Sequence, residues 1–432
     1  MLRKTVSEIM LALLLASILT LVFNVQPVKA SGTIYIRRDG SVDPPVGLIS
    51  TFDNITYTLT ANVFDHIVVE RSNIVLDGVG YTVQHPGGSG ISLEENNITI
   101  KNMNIRNCFM GIFALSYSKN KIFGNNITEC TSGIELASSS GNNIHGNDIT
   151  SNYIGIELEF DSQINIIFGN NITSNDCGIK LLYSSYNSIY HNNFVNNTLY
   201  GLRPAGTGHI DSTGSVNTWD DGYPSGGNYW SGYSGNDTFS GPHQNVTGSD
   251  GISDTPYVID ANNQDLYPLM GPFNEFDAGT WNDVSYSFDI VSNSTVSDFL
   301  FNPSEGAFIR YSMSGESGTV GFCRITIPKD LLWVENGWNV TANGEPVNYT
   351  VTSDENCTYI YFAYKYDRFL FIPPAIIQKT VEIRGTHAIP EFPSAMLLQL
   401  FIILTLLAVV ITKKRLHRKT KTLIFNPYLM KT

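Results

Sequence analysis

Charge is scarce in this chain of 432 residues, with Asp, Glu, Lys and Arg at only 15%, against about 25% in an average soluble protein. That scarcity excludes a coiled coil, a helical solenoid and a nucleic-acid binder, each of which needs dense Lys, Arg or Glu. Cysteine is sparse as well, with five residues. Positive charge is concentrated at the ends. Of 26 Lys/Arg and 39 Asp/Glu, the first thirty residues hold three bases and one acid, and the last twenty hold seven bases and no acid, which leaves −22 between them. Such a surface repels phosphate backbones and attracts cations. Asn, Ser, Thr, Gly and Tyr fill the deficit, as in an all-β protein with many turns, and the length suits two or three domains.

Long apolar runs occur only near the termini. Arg3 and Lys4 precede an apolar stretch from Ile9 to Phe23, and Val28-Lys29-Ala30 offers a small-residue cleavage site, so residues 1–30 read as a signal peptide. Residues 395–412 are just long enough to span a bilayer as a helix. The basic tail 413–432 then places the C-terminus in the cytoplasm and the rest of the chain outside. An external location suits the Asn-X-Ser/Thr sequons at Asn54, Asn97, Asn126, Asn171, Asn196, Asn236, Asn245, Asn293, Asn339, Asn348 and Asn356, which are glycosylation acceptors in a secreted chain.

Self-similarity is the strongest signal. Glycines recur at 90, 111, 133, 155, 178 and 201. Three aliphatic columns keep the same period: Ile91, Ile112, Ile134, Ile156, Ile179 and Leu202; Ile100, Ile122, Ile144, Ile167 and Ile189; Ile105, Ile127, Ile149, Ile172 and Phe194. Three short apolar segments per 22 or so residues, fenced by Gly, Asn or Ser, match three strands per turn of a solenoid. Coils stacked at the strand spacing of about 4.8 Å put every residue over its counterpart. No coil buries its apolar face alone, so the coils need one another and the ends need caps. Asn125, Asn147, Asn170 and Asn192 form an expected internal amide ladder. The next column, Asn104, Asn126, Asp148, Asn171 and Asn193, contains two sequons and is expected to face solvent.

These patterns predict an all-β chain. A parallel β-helix of six to seven coils with an N-terminal cap occupies 31–204, and a Gly- and aromatic-rich capping segment occupies 205–272. A β-sandwich at 275–386 and a linker at 387–394 precede the membrane helix. The last β region lacks the period but alternates along Val284–Ile290, Phe308–Met313, Phe322–Ile327, Tyr359–Tyr364 and Thr380–Ile383.

The coils, together with the block running from Asn217-Thr218-Trp219-Asp220-Asp221-Gly222-Tyr223 through Gly227-Asn228-Tyr229-Trp230-Ser231 and then Ser249-Asp250-Gly251-Ile252-Ser253-Asp254 to Asp260, resemble the NosD-like family of secreted right-handed parallel β-helix proteins, of the grouping called carbohydrate-binding proteins and sugar hydrolases. The resemblance covers about 33–272 and is closest to archaeal cell-surface forms. Pro390-Glu391-Phe392-Pro393, the apolar helix and the basic cluster also resemble sorting signals cut by archaeal transpeptidases. The family implies the fold firmly and the activity weakly. Its name comes from a copper-related periplasmic factor, and soft-metal sites need clustered Cys, Met or His. In the coils His145 shares a column with Phe123, Phe168 and Tyr190, and His191 with glycines, so they do not pair.

Four sets of residues carry the remaining candidate chemistry. Glu135, Glu157, Lys180 and Arg203 share one outward column with Ser92 and Phe113, and Glu159 and Asp161 lie nearby. Neighbouring coils bring Glu135 and Glu157 to about 5 Å, the separation found in retaining glycosidases, but the same column also makes a salt-linked or sugar-contacting stripe. Trp219, Tyr223, Tyr229 and Trp230, beside Asn228, either stack on sugar rings or seal the last coil. Asp250 and Asp254 offer hard ligands for a structural Ca2+, or make ordinary Asp-Gly turns. Cys108 and Cys130 sit in adjacent coils, Cys323 and Cys357 in the sandwich, and disulfides are permitted for both pairs; Cys177 is left over. The reading is a membrane-anchored extracellular β-helix protein, a non-catalytic recogniser of polysaccharide or surface glycan or a structural surface component, with no cofactor beyond Ca2+. The alternative is a polysaccharide hydrolase or lyase acting on the outward face.

Overall fold

The computed structural model describes residues 32–201, 208–281, 284–304, 306–367, 375–388 and 405. The signal peptide, the Pro390–Pro393 signal, the helix at 395–412 and the basic tail fall outside them, but for residue 405. Among the described residues no helix is long and apolar enough to cross a membrane. They divide into two compact units, with the boundary between Asn274 and Glu275.

The first unit is a β-solenoid. Three sheets of nine, seven and eight strands run along it, and nearly all their neighbours pair in parallel. One coil shows the construction: Ser132–Ala137, Asn143–His145 and Asp148–Thr150 each belong to a different sheet and pair with Ile154–Glu159, Ile166–Phe168 and Asn171–Thr173 of the next coil. The strands are short because each coil bends at residues with left-handed backbone. Asn107, Glu129, Ser151, Ser174 and Asn196 hold φ of 50–59° at one corner, and Asn102, Gly124, Gly146, Gly169 and His191 hold 55–63° at another. Asn and Gly are the residues for which that conformation costs least. The repeated glycine answers a different need. A Cβ on Gly133 would sit 2.6 Å from the Gly155 carbonyl oxygen, and one on Gly155 equally close to that of Gly178.

Isoleucine columns fill the interior with no exposure, and three amide ladders line the corners. The expected one is present: Asn125, Asn147, Asn170 and Asn192 each donate Nδ2–H to the Oδ1 of the next, the last of them to Asn228, at 2.9–3.0 Å. Two more accompany it, Asn142-Asn165-Asn187-Asn217 and Asn152-Asn175-Asn197. Each rung satisfies buried polar groups that would otherwise cost about 1–3 kcal/mol apiece. Cys108 and Cys130 occupy the same corner position as Asn152. Their thiols are free and donate to the Arg106 and Thr128 carbonyls at 3.3 Å.

The repeat continues beyond Leu202, in a register the sequence spacing missed. A Cβ on Gly178 would meet the His209 carbonyl, not Gly201. Thr198 bridges Gly208, and Ile179 and Lys180 pair with Ile210 and Asp211. Asp211 therefore follows Lys180 in the column where the spacing had put Arg203, which lies outside the described residues. Thr218 bridges Ser188, and Phe194 pairs with Trp230. Residues 208–230 thus form one more coil, in which Trp219 and Trp230 take the inward isoleucine places.

In the second unit two five-stranded sheets share one buried cluster. The first contains Phe273–Trp281, Val284–Ser292, Val320–Pro328, Cys357–Lys365 and Tyr349–Ser353; the second contains Thr295–Asn302, Phe308–Glu316, Ile376–Arg384, Asn339–Ala342 and Glu345–Pro346. Cys323 faces Phe362 while Cys357 faces Pro328. That offset of five residues puts the two thiols far beyond the reach of a disulfide, and Cys323 is held against the Tyr311 hydroxyl at 3.1 Å instead.

Candidate functional site

The outward face of the nine-stranded sheet brings the sequence-predicted carboxylates together. Register stacks Ser92, Phe113, Glu135, Glu157, Lys180 and Asp211 in one column. Glu157 is 6% exposed. It accepts a hydrogen bond from the Ser132 hydroxyl at 2.6 Å and a charge-assisted one from Lys180 Nζ. Lys180 also donates to Glu159 at 2.9 Å. Burial by itself would lower the lysine's affinity for its proton, but the two carboxylates hold it above the ordinary lysine range. Glu159 is also buried in part, yet its bond to Lys180 keeps it below the usual glutamate value. Glu135 has only the smaller help of a Ser132 hydrogen bond and the Lys180 charge. Burial, then the charges of Glu157 and Glu159, push it up to about 7. The column thus carries a locked ion cluster beside a carboxyl that is partly protonated at neutral pH.

Aromatic side chains border this face. Phe109 and Tyr153, just before two of its strands, are exposed, and so are Phe160, Tyr183 and Tyr186 beyond the other ends. Sequence reasoning missed these rings. They sit at corner positions where the repeat shows no fixed residue type, so no column pointed to them. Asp161 is exposed at the same corner, with left-handed backbone, and accepts from the Gln163 amide.

The aromatic block is placed otherwise than a sugar platform requires. Trp219 and Trp230 are buried, Trp230 lying between Phe194 at 4.4 Å and Tyr257 at 4.3 Å. Asn228 is the last rung of its ladder. Both indole N–H groups are consumed inside, Trp219 on Asn263 at 3.0 Å and Trp230 on Asp265 at 2.8 Å. Asp265 also accepts the Asn228 N–H, and burial, opposed by these donors, pushes its carboxyl up to about 7. The buried residues of this block therefore seal the last coil, because a wide ring covers an end that no further coil covers. Tyr223 and Tyr229 are half-buried, and the Tyr223 hydroxyl accepts from Gly241 N–H.

The acidic turn is likewise engaged internally. Asp254 accepts from the Thr238 hydroxyl at 2.7 Å and from Phe239 N–H, and Asp250 accepts from Ile252 N–H. Burial pushes neighbouring Asp237 up to about 6, against two backbone donors. Among the described residues no three His, Cys, Asp or Glu side chains are grouped to hold a metal ion, and the bonds above make Asp250 and Asp254 anchors of their turns. The sequons at Asn126 and Asn171 lie on the exposed face of the seven-stranded sheet, where Asn171 donates to Asp148 at 2.7 Å.

Comparison with known proteins bears on the solenoid. Residues 39–235 match the family model described as periplasmic copper-binding protein (NosD). No curated protein matches the sequence significantly. Among solved structures, the Dettilon tailspike protein is 13% identical, with 76% of each chain covered and a TM-score of 0.30. The enzymatically active domain of tailspike protein 2 from bacteriophage CBA120 is 12% identical, with 78% of this chain and 68% of that one covered and a TM-score of 0.27. Scores this low bear on neither chemistry nor ligand.

Proposed function

With residues 39–235 matching the NosD family model, we propose that the solenoid is a glycan-recognition module whose binding surface is the outward face of the nine-stranded sheet. One observation carries the reading: a polar floor of Glu135, Glu157, Glu159 and Lys180 bordered at both strand ends by exposed aromatic rings. Rings present apolar faces to sugar rings, while carboxylates and the ammonium bond hydroxyls. The external location that the family implies puts such a face within reach of polysaccharide.

A hydrolytic reading has one observation of its own, the Glu135 carboxyl held up to about 7 and able to give a proton near neutral pH. Its proposed partner is poorly suited. Glu157 is buried, and both its oxygens already accept a hydrogen bond, one of them from the Lys180 ammonium, which leaves it a weak nucleophile or base with little access to a substrate. Recognition without cleavage therefore fits better. Copper does not enter the reading either, because the donors are engaged elsewhere. His145 is stacked between Phe123 and Phe168 at 4.9 Å, His209 is buried against the Asn197 amide, and His66 and His85 stack on each other with a serine partner each.

The test is a glycan array probed with the full chain and with Tyr153→Ala and Phe160→Ala. Binding to a defined polysaccharide class, weakened about tenfold by either variant, supports the reading. Absence of binding, or binding indifferent to both substitutions, contradicts it. Release of reducing ends that disappears in Glu135→Gln would establish the hydrolase instead.

A further inference from the structure

The outward column ends in a cleft. Asp211, in register beside Lys180, opens into a space of about 710 Å³ walled by the segments 199–200, 210–216 and 259–262. Among the described residues its lining holds two carboxylates, Asp211 and Asp260, and no lysine or arginine. Asp211 accepts from the Thr213 hydroxyl at 2.7 Å and the Tyr200 hydroxyl at 3.4 Å. Asp260 accepts from the Ser212 hydroxyl, from Asn262 N–H at 2.6 Å and from the Asn263 amide at 2.8 Å. All of these donors are neutral, and Lys180, in register beside Asp211, is engaged by Glu157 and Glu159, so among the described residues neither carboxylate forms an ion pair. Val216 and Ile259 supply an apolar patch in the same wall.

A platform borders the cleft. Gly214 lacks a side chain where Tyr183 packs on it, since a Cβ there would lie 2.6 Å from the Tyr183 ring. The ring is fixed by that contact and is still 63% exposed. An exposed ring packed on Gly214, an apolar wall, hydroxyls and two carboxylates bonded by neutral donors match a sugar that carries a positive charge.

We propose that this cleft binds an amino sugar with a free, protonated amine, as the anchoring unit of the glycan held along the face. The proposal rests on the glycan-recognition reading and adds the ligand's charge and place. An ammonium brings charge-assisted hydrogen bonds to Asp211 and Asp260. An N-acetylated sugar loses the charge, and a uronate adds like charge to a surface already strongly negative.

The experiment measures affinity of the full chain for four oligosaccharide series: glucosamine, N-acetylglucosamine, glucose and galacturonate. The expected order puts glucosamine oligomers first, by about tenfold over the N-acetylated series, and galacturonate last. Asp211→Asn abolishes that preference, Tyr183→Ala weakens all binding, and Glu129→Gln, on an exposed corner outside the cleft, changes neither. If neutral oligomers bind as well as glucosamine, the amine assignment fails while glycan recognition stands. If Asp211→Asn keeps the preference, or Glu129→Gln removes it equally, the cleft is not the site and the attraction is that of a diffuse acidic surface. If no series binds, both readings fail.

Discussion

In the solenoid Ile134 lies beside Ile156 and Glu135 beside Glu157, each residue meeting its own counterpart one coil later; in the second unit Phe308 faces Arg384 and Met313 faces Lys379. Like-on-like stacking lets one polar residue type satisfy itself indefinitely, as the asparagine ladders do. It also concentrates any mismatch at the ends, where a column has no next member. The antiparallel sheets pair mostly unlike residues at no fixed sequence interval, so contacts there are specified singly and no period appears. The solenoid is thus sensitive at its ends and along its columns, and the second unit at individual pairs.

The comparison breaks most sharply at the last coil. Trp230→Ala removes the ring stacked between Phe194 and Tyr257, and is expected to cost the solenoid about 4 kcal/mol while leaving the melting of the second unit unchanged by calorimetry. Next is a rung. Asn170 donates to the Ile144 and Phe168 carbonyls and to Asn192, and accepts from Asn147, so Asn170→Ala should destabilise the solenoid by about 3 kcal/mol, through several buried groups left unpaired. An equal loss in both units would contradict independent cores. A smaller effect is electrostatic. Burial beside Glu157 and Glu159 raises Glu135 from 4.5 to about 7 in the folded chain, so the fold prefers its protonated form. That stabilisation is complete below about 4.5 and is lost as pH rises to 7, by about 1 kcal/mol after solvent screening. Glu135→Gln should flatten that slope in urea titrations. The smallest belongs to the second unit, where Arg310→Ala breaks a half-exposed pair with Glu382 and should shift stability by less than about 1 kcal/mol.

The same contrast explains what the sequence disclosed. The isoleucine columns, the repeated glycine and the first asparagine ladder were legible because stacking repeats them at fixed spacing. The two other ladders follow the same period but were masked, one by the cysteines standing in its column at 108 and 130, the other by asparagines that look like ordinary turn residues. The register failed after Thr198, where the next glycine in sequence, Gly201, proved to lie in an excursion, and His209 took its place against Gly178. That single slip assigned Arg203 to a position held by Asp211 and so misjudged the charge at the end of the face. Trp219 and Trp230 were legible as either platform or seal, and only the inward direction of their columns separates the two. The bordering rings fall in two columns, Phe109 with Tyr153 and Phe160 with Tyr183, but each column mixes them with other residue types such as Thr131 and Ser138, so no repeated residue announced them.

Hydroxyl-radical footprinting of the chain with and without a bound polysaccharide tests the central claim most directly. The account predicts protection of Tyr153, Phe160 and Tyr183 on the outward face, with Tyr223 and Tyr229 of the sealing coil unchanged. Protection confined to Tyr223 and Tyr229, with the face as reactive as before, would contradict it.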